Sequence, residues 1–164
     1  LWIRSSYQEA DLGVTLSAVR PDGSETYIQS GVLRGTHRRT TPESTPLLPL
    51  RSGREQDAEP LPTDEFVEAR VEIFPFAHVV REGSRIRISV HTPGGDKVRW
   101  KYILAEVPDD AFVEVGHSAE HPSKVVLPLV PTVTGYPDAV PENCQALRAQ
   151  PCRDFEEYTN TPAG

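Results

Sequence analysis

The chain has 164 residues, a length that suits one domain able to build a core without metal or disulfide staples. Its net charge of −7 offers no cationic footprint for nucleic acid or an anionic membrane, and no apolar run reaches the roughly 20 residues that cross a bilayer. Sixteen prolines and 37% hydrophobic residues favour short segments joined by turns over long helices.

There is no Met, and Leu1-Trp2-Ile3-Arg4 already reads as a strand, so the chain is expected to be a piece of a longer protein. From Asp11 to Arg20, Leu12, Val14, Leu16 and Ala18 alternate with Asp11, Gly13, Thr15 and Ser17. Pro21-Asp22-Gly23-Ser24 then supplies turn chemistry, and alternation returns from Tyr27 to Arg34. This is a β-hairpin, the strongest local signal in the chain. Residues 36–64 lose periodicity, and they are read as a long surface connection that wraps the sheet edges.

A strand is predicted from Glu65 to Ile73, burying Val67, Ala69, Val71 and Ile73. Phe74-Pro75-Phe76 ends it, because proline has no N–H to give a ladder. From Arg85 to Thr92, Ile86, Ile88 and Val90 point one way and the arginines, Ser89 and His91 the other. After the turn at 93–96, further strands are predicted over Val98–Leu104, Phe112–Val115 and Val125–Val130. Seven or so short strands without a convincing helix define an all-β fold, an antiparallel β-sandwich spanning 1–131. Residues 132–164 are read as an irregular tail lying on the domain or partly disordered.

Cys144 and Cys152 both lie in that tail and enclose Gln145 to Pro151. A disulfide there would staple a segment with little core of its own, which leans toward an extracytoplasmic protein; the alternative is two ordinary thiols. Gly116-His117-Ser118-Ala119-Glu120 falls one residue short of a nucleophile elbow, and Pro122 blocks the helix that an elbow requires. A tight serine turn is the plainer reading. The same proline denies His117 and His121 the helix that would join them as metal ligands, so no metal, cofactor or catalytic residue is assigned. Glu9, Asp11, Asp64, Glu65, Asp109 and Asp110 stand at strand ends and turns, where carboxylates bond nearby backbone. The aromatic set of Trp2, Tyr27, Phe66, Phe74, Phe76, Trp100, Tyr102 and Phe112 suits core packing, an interface or a sugar-binding face.

Several stretches read together resemble a known module. They are Trp2 to Ser6, Ala10 to Gly23, Gly31 to Arg38, Ile73 to Val79, Gly83 to Ile88, and His121 to Pro131. In order, and over about 130 of the 164 residues, they are similar to the C-terminal jelly-roll domain of the cocaine esterase and X-prolyl dipeptidyl-peptidase group of serine hydrolases. The charged 51–62 loop and the cysteine-bearing tail depart from that pattern. The resemblance implies a galactose-binding-like jelly roll and, upstream in the same parent, an α/β-hydrolase domain that carries the Ser-His-Asp triad. It implies a non-catalytic β-domain that packs on that partner and helps shape a cleft for esters, amides or X-Pro peptides. The docking candidates are Phe74, Phe76 and His78, where Pro75 interrupts the ladder and leaves rings to project. The rival reading is a carbohydrate-binding module on the same scaffold.

Overall fold

Alternation with a period of two gives each strand one apolar and one polar face, and the computed structural model stacks such strands into two antiparallel sheets. It describes residues 1–94, 102–130, 134–135 and 153–154. The strands are β1 (Trp2–Ser5), β2 (Asp11–Val19), β3 (Ser24–Arg34), β4 (Phe66–Glu68), β5 (Arg85–His91), β6 (Val113–Val115) and β7 (Arg153–Asp154). The smaller sheet has the order β4-β1-β6 and the larger β5-β2-β3-β7. Among the described residues the helical content is two 3-10 turns, Gly35–His37 and Glu55–Asp57, and no helix is long and apolar enough to cross a membrane.

The β2–β3 hairpin closes as its turn chemistry requires. Gly23 takes a φ of 85°, a region open to glycine, and Asp22 Oδ1 accepts from the Ser24 N–H at 2.9 Å and its hydroxyl at 2.7 Å. A β-bulge at Leu16/Ser17 breaks the register halfway along.

The register sorts the faces. Leu12 faces Leu33, and both belong to the core with Ile3, Ala10, Leu61 and Ala69. Two and four residues on, Val14 and Leu16 share that face, opposite Val90 and Ile88 of β5. The other face holds Ser17 opposite Arg87, and there Glu25 accepts from the Ser17 hydroxyl at 2.5 Å and from Arg87 at 3.0 Å. Burying the Glu25 carboxylate is tolerable because both of its oxygens are bonded.

Three expected strands differ from the reading. β4 stops at Glu68 because its partner β1 starts at Trp2, although Leu1 and Ala69 still exchange backbone hydrogen bonds. Ala69 is fully buried as expected, and Val67 and Val71 pack against the core. Val125–Val130 forms no strand, since Pro128 removes a ladder donor at its centre. Residues 102–104 also lie outside any strand, while 98–101 lie outside the described residues. The 36–64 connection hugs the sheets and adds one plug that lack of periodicity concealed. Leu61 is 2% exposed in the core, held by its N–H to Gln8 O at 2.8 Å.

Candidate functional site

Two surfaces carry side chains that the core leaves unused. The first follows β4. Gly31 shares the core-side face with Val14, and a Cβ placed on it would lie 1.7 Å from the Glu72 carbonyl oxygen. The chain after β4 therefore crosses directly over β3, which only a residue without a side chain permits. It then returns to the hairpin end, where Gly83 approaches Pro21. Along this path Phe74 and Phe76 are 45% and 40% exposed, and Val79 and Val80 are exposed with them. Burial first, and then the charges of Arg20 and Arg81, holds the His78 pKa below the usual imidazole range.

β5 continues the apolar character. Ile86, Ile88 and Val90 are 41%, 38% and 37% exposed although they point to the sandwich side, because the facing strand β6 is only three residues long. Between the sheets on this side lies a groove of about 310 Å³, lined by Leu12, Val90, Leu104, Val107, Phe112 and Val113 among others. Asp11 fixes its wall. Its buried carboxylate accepts from Arg34 at 3.1 Å, from the Tyr102 hydroxyl at 3.1 Å and from the Ala105 N–H at 2.5 Å. Burial and the Asp11 charge push the Tyr102 pKa up to about 12.

The second surface is the outer face of β1, β4 and β6. Ile3 and Ser5 turn inward, so Trp2 and Arg4 turn outward beside Glu68, Phe66 and Glu114. Arg4 pairs with Glu114 at 2.5 Å, and its guanidinium lies 5.2 Å from the centre of the Phe66 ring. The His121 ring stacks on Phe66 at 4.2 Å and meets Trp2 edge-on at 5.2 Å. Gly116 makes room, since a Cβ there would fall 2.7 Å from His121 Cβ. Beside these rings opens a shallow cleft of about 520 Å³, rimmed by Arg38, Arg39, Glu59, Glu68 and Arg70.

The remaining sequence candidates fall into place around these surfaces. Ser118 closes the expected tight turn, its hydroxyl accepting from the His121 N–H at 3.1 Å. The His121 ring is turned to Trp2 and Phe66, not toward that hydroxyl. Among the described residues no group of three His, Cys, Asp or Glu side chains could hold a metal ion. Asp11 stands at a strand end as expected, but it serves as a hub for distant segments, which its local context did not reveal. The Trp2–His121–Phe66 cluster was equally hidden, because its members come from three separate stretches. Cys144, Cys152, Trp100 and nearly all of the 132–164 tail lie outside the described residues.

The fold and surfaces define an all-β module that presents binding faces. Residues 1–99 match the family model of the X-Pro dipeptidyl-peptidase C-terminal non-catalytic domain, and the chain belongs to that family. Two proteins bearing serine-esterase names, from Mycobacterium bovis and Mycobacterium tuberculosis, are each 30% identical to it over 133 residues. Those stretches cover 79% of this chain and 20% of each relative, so the chain spans about a fifth of their length. No solved structure matches it.

Proposed function

We propose that residues 1–131 form the non-catalytic C-terminal β-domain of an α/β serine hydrolase, followed by a tail over 132–164. The parent is an esterase, amidase or X-Pro dipeptidyl-peptidase. Its triad lies upstream, and this domain packs on the catalytic domain and borders the substrate cleft. The observation that supports the reading is the apolar set left in solvent, with Phe74 and Phe76 after β4 and Ile86, Ile88 and Val90 on β5. Exposed apolar side chains in such number mark a surface that is covered in the working protein.

The rings would act as anchors, filling pockets on the partner while the surrounding aliphatic residues exclude water. His78 stands in the same segment, and its lowered pKa keeps it uncharged near neutral pH, as an apolar contact requires. The test is association of the separately expressed catalytic half with this chain, followed by titration calorimetry. Phe76→Asp places a charge in the contact, so binding should weaken by roughly tenfold or more. Association unchanged by Phe76→Asp would overturn the docking surface.

A further inference from the structure

We propose that the cleft on the outer face of β1 and β4 is a binding site for a neutral saccharide, independent of the docking surface, with which it shares no residue. Its volume of about 520 Å³ fits within the roughly 300–1,000 Å³ of ordinary ligand sites. Its lining joins two aromatic rings, Trp2 and Phe66, to a dense set of fixed donors and acceptors. Rings supply flat apolar area for the C–H face of a sugar, and paired polar groups match its hydroxyls.

The polar groups are held in place before any ligand arrives. Arg38 donates to the backbone carbonyls of Gly35 at 3.3 Å and Glu59 at 2.7 Å. Arg39 reaches the Glu59 carboxylate at 3.1 Å, and Arg70 grips Glu68 through two hydrogen bonds of 3.1 and 3.2 Å. The indole is steadied by its edge-on contact with His121, with no parallel ring stacked on its face. Prior fixing of this kind lowers the entropy lost on binding.

Charge decides the ligand class. The cleft holds the guanidinium groups of Arg38, Arg39 and Arg70 against the carboxylates of Glu59 and Glu68. An anion would meet arginines already engaged by carboxylates and two negative groups beside them, so it gains little. A polyol can use the leftover N–H donors and carboxylate lone pairs together, without opening any ion pair.

The experiment titrates the 164-residue chain with D-galactose, N-acetyl-D-glucosamine and cellobiose by calorimetry, with inorganic phosphate and glucuronate as anionic probes. Tryptophan emission is followed in a Trp100→Phe background, so that the signal reports Trp2. At least one neutral sugar should bind and shift that emission. Arg39→Ala and Glu59→Gln should each weaken binding at least tenfold. Arg39 is 69% exposed on its side chain, so its removal leaves the fold intact, and circular dichroism would verify this. The proposal is overturned if no neutral sugar binds, if only phosphate or glucuronate binds, or if both variants bind as the parent chain does.

Discussion

Gly31 is where two segments meet most closely, and its effect can be measured. A methyl group there would collide with the Glu72 carbonyl, and backbone on both sides limits relief. Gly31→Ala should therefore lower stability by about 1–3 kcal/mol, the usual cost of overpacking, read as a lower urea midpoint. A variant as stable as the parent would mean that the chain after β4 does not cross β3 there. Tyr102 offers a pH test at the same scale. Its folded pKa, about 12, exceeds the model value of 10.0, so the neutral hydroxyl is favoured in the folded state. The stabilisation is complete below pH 10 and is lost as pH rises from 10 toward 12. Tyr102→Phe should flatten the thermal-midpoint profile across that window. A profile identical to that of the parent chain would sever Tyr102 from the Asp11 hub.

At the level of elements, β1 is short yet central, pairing with β4 on one side and β6 on the other. Ile3 is its buried anchor in the core. Ile3→Ala should cost about 2–5 kcal/mol through lost burial and the cavity left behind, measured by chemical denaturation. A loss below 1 kcal/mol would show that the two sheets do not rely on this contact. The alternation of β5 was legible in sequence, and the register bears out that Ile86, Ile88 and Val90 share a face. Their exposure was not legible, because it depends on how far β6 extends over them. Val125–Val130 shows the opposite limit. Its apolar run reads as a strand, but Pro128 withholds a donor and no ladder forms among the described residues.

For the whole molecule, family membership and a span of about a fifth of the relatives' length place this module beside further chain in its relatives. Docking and saccharide binding belong to different faces, so they should separate cleanly. Phe76→Asp should leave sugar titrations unchanged, and Glu59→Gln should leave association with the catalytic half unchanged. Cross-effects in both directions would merge the two surfaces into one and remove the case for two functions.

The sequence by itself determined the fold class, the β2–β3 hairpin and the family, because side-chain alternation and turn chemistry act within a few residues of chain. It also placed Phe74 and Phe76 beyond the end of a ladder, where they project. Tertiary structure alone decided that Leu61 plugs the core, that Asp11 ties in Tyr102 and Ala105, and that His121 sits between Trp2 and Phe66. Each of these joins residues far apart in the chain. Local periodicity states which side of a strand is apolar, but which distant segment comes to cover it is settled by packing.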